Sequence, residues 1–259
     1  MDITFLLVDG LNLIRRVYAA QPGEDGFERV ESALRASVKS LSRALRECRP
    51  THAVCVFDGD EPGWRHEEYP SYKSGRQPMP EALREGLPSF RDAFGDQGVA
   101  SLVFPALEAD DVIATLACKV AERGGHSTIL STDKAFLQLL SNYIVVRDHF
   151  QKINLDDSWI INKYGVEAGQ FVDFLALAGD TGNSIPGVPS VGAKTAARLL
   201  REVGDLDTIL AVAHTIPGKP GEMIYKNRDQ AQLSRLLAIL RKDLELGVNL
   251  KSFRYLEKS

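Results

Sequence analysis

The sequence predicts an α/β domain with a mostly parallel sheet, followed by a wholly helical domain. Three observations carry that prediction. Short β-rich apolar runs alternate with longer helical patterns, three of those runs end on an aspartate, and from about Ser158 the β-rich runs stop.

In chain order, residues 3–8 read as a strand and 28–48 as an amphipathic helix. A strand at 53–57 and helical patterns to about residue 94 follow. A strand at 101–104, a helix at 109–123, a strand at 127–130, a short helix at 135–140 and a strand at 143–147 continue the alternation. Helical crossovers between strands imply parallel pairing. Beyond them, residues 158–164, 170–177, 193–203, 206–213 and 225–241 read as helices, so the expected domains are 1–157 and 158–259. Neither an internal repeat nor a low-complexity tract interrupts them.

Composition narrows the function classes. A chain of 259 residues with 44% hydrophobic and 25% charged residues can bury one large core and a smaller one. No run approaches the ~20 apolar residues that span a bilayer, and Met1-Asp2-Ile3-Thr4 lacks the basic and apolar regions of a secretory leader. Cys48, Cys55 and Cys118 have no CxxC spacing and are odd in number. The expected setting is the cytoplasm, with no membrane partner. Five histidines without paired spacing argue against zinc. The net charge of −4 hides an asymmetry, because residues 190–259 carry twelve Lys and Arg against eight Asp and Glu. Charge alone does not separate a nucleic-acid face from an ordinary solvated surface.

Asp9, Asp58 and Asp133 each close an apolar run, and in an open parallel sheet the carboxyl ends of the strands share one edge, where ligands bind. Glu108-Ala109-Asp110-Asp111 opens the helix after the next strand, with Glu108 and Asp111 three residues apart on one face. Several carboxylates in one crevice repel unless a cation lies among them, and oxygen-only ligation selects a hard ion, Mg²⁺ or Mn²⁺. Any one of these acids could equally be a turn or helix cap; it is the set that points to a metal. Further on, Ile185-Pro186-Gly187-Val188-Pro189-Ser190-Val191-Gly192-Ala193-Lys194-Thr195 reads as a hairpin that opens a helix. Its glycines allow close backbone approach, and the helix N-terminus offers unpaired N–H groups to a phosphate.

Trp64-Arg65-His66, Tyr72-Lys73-Ser74-Gly75-Arg76, Glu108-Ala109-Asp110-Asp111, Ser131-Thr132-Asp133-Lys134 and Gly179-Asp180 before Ile185-Pro186-Gly187-Val188 occur in that order. Together they resemble the motifs of the bacterial and phage 5′-nucleases, the flap endonuclease and 5′–3′ exonuclease family that includes the nuclease domain of DNA polymerase I. The likeness runs through nearly the whole chain and is similar to the short standalone, exonuclease IX-like branch. It implies a PIN-like (Rossmann-like) nuclease domain, a helical arch at about 63–91 for a free 5′ end, and a helix–three-turn–helix at about 170–203 that holds duplex DNA. By motif position Asp9, Asp58, Glu108, Asp110, Asp111, Asp133 and Asp180 would surround the magnesium ions. Lys73, with Arg76 nearby, would contact the scissile phosphate. Residues Ser190, Val191, Gly192, Ala193, Lys194 and Thr195 would grip DNA. The carbonyls of Leu177, Ala178, Pro186, Val188 and Val191 would bind K⁺.

The resemblance also implies Mg²⁺-dependent cutting of 5′-flap DNA in replication and repair by a monomer. The sequence departs from the family where Ala135 and Asn183 replace acids and where Ser190 replaces Gly. Two metals are therefore expected, only one of them well ligated by protein. Basic and aromatic residues interleave in the arch (Lys73, Arg76, Arg84 and Arg91 with Trp64, Tyr69, Tyr72 and Phe90), which suits a threading single strand or an amphipathic helix pair with aromatic core residues. Two other classes stay open: a structure-specific DNA-binding protein with weak catalysis, and a PIN-like ribonuclease.

Overall fold

A computed structural model describes residues 3–256. The chain forms two compact units, both discontinuous. The first comprises the residues up to Gly63, Pro78–Asn154 and the residues from Arg241 onward; the second comprises Trp64–Gln77 and Leu155–Leu240.

The first unit is built on a six-stranded sheet. Its strands are β1 (Thr4–Asp9), β2 (His52–Phe57), β3 (Ala100–Val103), β4 (His126–Leu130), β5 (Ile144–Asp148) and β6 (Ile153–Leu155), in the order β3-β2-β1-β4-β5-β6. The four pairings β1–β2, β1–β4, β2–β3 and β4–β5 are parallel. The order reverses at β1, so a crevice opens between the carboxyl ends of β1 and β4. Strand β1 is buried almost throughout because helices cover both faces of a parallel sheet. Against it pack α1 (Gly10–Ala19), α2 (Phe27–Cys48), α4 (Glu81–Asp96) and α5 (Ala109–Ala121). Leu13, Ile14, Val30, Leu41, Leu83, Phe90 and Phe94 fill one core with Leu6, Val8 and Phe57.

Residues from Arg241 onward strap across α5. Asp111, Thr115 and Lys119, four apart along that helix, meet the passing backbone. Asp111 Oδ1 accepts the Arg241 N–H at 3.0 Å, and Lys119 Nζ donates to the Leu244 carbonyl at 2.6 Å. Phe253 then stacks on Phe5, with centroids 5.9 Å apart.

The second unit is helical. It contains α3 (Trp64–Glu68), α6 (Asp157–Tyr164), α7 (Phe171–Ala178), α8 (Ala193–Val203), α9 (Leu206–Val212), α10 (Gly218–Lys226) and α11 (Arg228–Ala238). Arg65 is 1% exposed and donates to the carbonyls of Leu237 and Ile239 at 2.9 and 2.7 Å, which seals the C-terminus of α11.

Several sequence expectations change. The helix expected at 225–241 is the end of α10 and then α11, which meet at Asn227, the C-cap of one and the N-cap of the other. The short helix expected at 135–140 is a 3₁₀ turn, Lys134–Leu139. Helix α1 and strand β6 were not anticipated. Two aromatics expected to be available for stacking, Tyr72 and Phe90, are buried at 5% and 0%, which is the amphipathic-pair alternative for those two residues. Among the described residues no helix is long and apolar enough to cross a membrane.

Candidate metal and nucleic-acid site

At the carboxyl edge of the sheet the backbone places the acids in a row. Asp9 ends β1 and caps α1, accepting the Asn12 N–H at 3.1 Å. Its second oxygen accepts from Ser131 Oγ at 2.8 Å. That hydroxyl oxygen in turn accepts the Asp133 N–H at 3.0 Å, so the loop after β4 is tied to the end of β1. Asn12 reinforces the tie by accepting from both the N–H and the hydroxyl of Thr132. Ser131 lay within a quoted motif, but sequence reading assigned it no role. Asn12, three residues past a strand-end aspartate, was missed outright.

Asp58 follows β2 and accepts the Ala109 N–H at 2.8 Å, which joins it to the first turn of α5. Gly59 makes this possible: a Cβ there would lie 2.0 Å from the Pro105 carbonyl oxygen. Glu108 caps α5 through its backbone, and Asp110 and Asp111 occupy its first turn. Glu108 and Asp111 are buried, whereas Asp110 is partly exposed. The Asp111 carboxylate has one oxygen on the Arg241 N–H. Asp133 caps its 3₁₀ turn through the Ala135 N–H at 2.8 Å.

Burial raises the Asp9 carboxyl to about 7, and the nearby charges of Asp58 and Asp133 add to the rise against the opposing bonds from Ser131 and Asn12. A buried carboxylate that resists ionisation beside two others is the electrostatic condition a divalent cation relieves. Among the described residues, no group of three or more His, Cys, Asp or Glu side chains is already arranged to hold a metal. The donors are all oxygen and stand along one edge, which fits a hard cation that keeps part of its water shell.

In the second unit Asp180 is 4% exposed and accepts from the Gly182 N–H and from Asn183 Nδ2, the latter at 2.8 Å. Asn183 Oδ1 accepts from the Arg76 guanidinium, whose Nε also donates to the Gly182 carbonyl at 3.2 Å. The Lys73 N–H donates to the Asn183 carbonyl at 2.9 Å, and the Gly75 N–H to Ser184 Oγ at 3.1 Å. Residues 73–76 are thus clasped to the turn at 181–184, with Lys73 held at φ 57°. The Arg76 guanidinium, expected at DNA, sits on this turn.

The hairpin after Asp180 folds tightly. Gly187, at φ 63°, lies so close to the backbone of Gly179 that a Cβ would approach its nitrogen to 2.4 Å. The Leu177 carbonyl accepts the Val188 N–H, and the Val188 carbonyl accepts the Val191 N–H. Each keeps a second lone pair for a cation. Ala178 is half-buried and Pro186 exposed. Ser190 adopts φ 66°, the left-handed region where the resembled family has Gly. Gly192 caps α8 without a side-chain bond, and Ser190, Gly192, Ala193 and Lys194 are exposed while Val191 is buried and Thr195 half-buried. The first-turn N–H groups of α8 therefore face outward with the positive end of the helix dipole.

Two family models cover almost the whole chain. Residues 4–165 match the 5′-3′ exonuclease N-terminal resolvase-like domain, and residues 166–259 match the 5′-3′ exonuclease C-terminal SAM fold. The chain is 46% identical over 261 residues to the flap endonuclease Xni of Photobacterium profundum, covering 100% of both. It is 45% identical over 257 residues to that of Shewanella baltica, covering 98% of this chain and 95% of the relative. Among solved structures, the bacteriophage T5 5′-exonuclease with bound zinc superposes with TM-score 0.77 at 21% identity, over 92% of this chain and 90% of that one. The catalytic core of Rad2 in complex with DNA substrate gives 0.61 at 14% identity, over 99% and 83%. These two likenesses concern the fold.

Proposed function

The chain belongs to the 5′-3′ exonuclease family of nucleases, and from that premise we propose that it is a Mg²⁺-dependent flap endonuclease that hydrolyses DNA at 5′-flap junctions. The observation that carries the proposal is the strand-end row of carboxylates with Asp9 raised to about 7 at its centre. Asp9, Asp58, Glu108, Asp110, Asp111 and Asp133 would hold the ion, directly or through its waters. When bound there, Mg²⁺ would supply Lewis acidity toward a water and the phosphoryl oxygens.

The remaining chemistry belongs to the chain itself. Ser131 and Asn12 orient the Asp9 carboxylate, and the clasp between Arg76 and Asn183 fixes the backbone that carries Lys73. Lys73 would neutralise charge developing on the scissile phosphate. The outward N–H groups of α8, with Lys194 and the hairpin carbonyls around a K⁺ ion, would grip the duplex backbone without reading its sequence. Ala135 and Asn183 stand where the resembled family carries acids, so a second ion would find fewer charged ligands than the first. We place the enzyme as a cytoplasmic monomer acting in replication, including Okazaki fragment processing, and in repair.

Single-turnover cleavage of a 5′-flap DNA with and without Mg²⁺ tests the reading. Wild type should cut only with the metal, and Lys73→Ala should lower the rate by about two to three orders of magnitude. An unchanged Lys73→Ala rate removes that side chain from the chemistry. A second reading, a structure-specific binder with weak catalysis, is favoured by Ala135 and Asn183. Tight flap binding without turnover would select it.

A further inference from the structure

His149, which follows β5, is only 7% exposed, yet neither of its ring nitrogens has a hydrogen-bond partner. An unpaired buried polar group is costly, so a fold keeps one where a water, ion or ligand completes it. The imidazole lines an open-mouthed cavity of about 210 Å³ bounded by α1, α2 and the turn after β5, whose other polar walls are Gln21, Ser40 and Arg43. Ser40, Arg43 and His149 also line a smaller hollow that adds Arg147 and Lys152.

Basic groups outnumber acids around this cavity, with Arg16, Arg43, Arg147 and Lys152 against Asp148 and Glu47. Burial holds His149 down at about 4 against the pull of Asp148, and the positive charges of Arg16 and Arg43 add to the lowering. The acids of the region are engaged already. Glu47 accepts from Arg147 at 2.6 Å, and Asp148 accepts the N–H groups of Phe150 and Gln151 at 2.8 and 2.9 Å. What remains is surplus positive charge, a hydroxyl and an imidazole able to donate one N–H. That donor-rich set matches a tetrahedral oxyanion.

We propose that the cavity is a phosphate-binding site, with Arg43 supplying charge and His149 and Ser40 hydrogen bonds. It is separate from the carboxylate row but related to it, since β5 runs parallel to β4 and both end on the same edge of the sheet. A backbone phosphate of the DNA strand would gain an extra anchor there. That source rests on the nuclease reading, whereas a free phosphate or mononucleotide presents the same chemistry without it.

The test is ¹⁵N-edited NMR of the histidine rings in metal-free protein. Added inorganic phosphate should shift the His149 ring signals and move its titration upward from about 4. Arg43→Gln, at a half-buried position, should weaken that response about tenfold, the loss of one charge-assisted hydrogen bond. Displacement of the phosphate by 5′-flap DNA identifies the strand as the source; phosphate binding that DNA does not disturb identifies a free phosphate or mononucleotide. Either result supports the site. A His149 ring indifferent to about 20 mM phosphate, far above a 1 mM Kd, overturns it, as does an equal response in Arg43→Gln. The phosphate arm reads out without nuclease activity, so failure of this site and failure of the proposed function are told apart.

Discussion

Asn183 stands between Asp180 and Arg76 and bonds both. Asp180 only accepts hydrogen bonds and the Arg76 guanidinium only donates them, while a carboxamide does both. A carboxylate at 183 could still hold Arg76 but would face Asp180 as a like charge. Asn183→Asp should therefore lower the melting temperature of metal-free protein, by about 1–3 kcal/mol of stability, and recover part of it in Mg²⁺; calorimetry with and without the ion checks both. Asp9 makes a second prediction at this scale. Between its ordinary value of 3.8 and the folded value of about 7 the native metal-free chain keeps a proton that the unfolded chain releases. Stability contributed there falls as pH rises through that window. Mg²⁺ should raise the melting temperature more at pH 8 than at pH 5.5, and a gain of the same size at both would contradict the assignment. Asp9, Asp58 and Asp133 were legible as strand-end acids because each closes an apolar run. Their partners Ser131 and Asn12 were not, because those contacts form only once β4 lies beside β1.

At the scale of elements, helices with continuous apolar spacing were readable, as in α2 and α8. Elements defined by a distant partner were not. Helix α1 starts directly on the Asp9 cap with no intervening loop, and the 225–241 pattern hid a break at Asn227 that the packing of α10 and α11 imposes. Arg65 shows the same limit, since nothing nearby in sequence marks it as the cap of α11, 172 residues away. Arg65→Ala should destabilise the protein by about 3–5 kcal/mol, because it empties a buried site and strands two carbonyls; a loss under about 1 kcal/mol in denaturant unfolding would refute the cap. The hairpin supplies the opposite case. Ser190 holds a left-handed conformation that costs an L-residue about 1–2 kcal/mol, offset in part by the greater unfolded freedom of Gly. Ser190→Gly should thus stabilise by about 0.5–1 kcal/mol, read from the shift in the denaturation midpoint.

For the whole molecule, the α/β-then-helical order was visible in the alternation of periods, with the sequence expectation cut once between 157 and 158. The two compact units are each discontinuous, with 64–77 among the helices and the residues from Arg241 onward against the sheet. Such returns carry little sequence signal because backbone atoms make most of the contacts, as with Arg241 and Leu244 on α5. The motifs at 131–134 and 179–188 follow a strand end and form a hairpin respectively, where the backbone allows few residue types, and they were readable in order with the others. The central claim, a metal-dependent nuclease built on the strand-end carboxylates, is tested most directly by Asp110→Ala in a single-turnover assay on 5′-flap DNA, with binding of the same DNA measured alongside. Asp110 is the half-buried acid in the first turn of α5. The account predicts cleavage abolished in Mg²⁺ with flap binding retained; full turnover by Asp110→Ala in Mg²⁺ would contradict it.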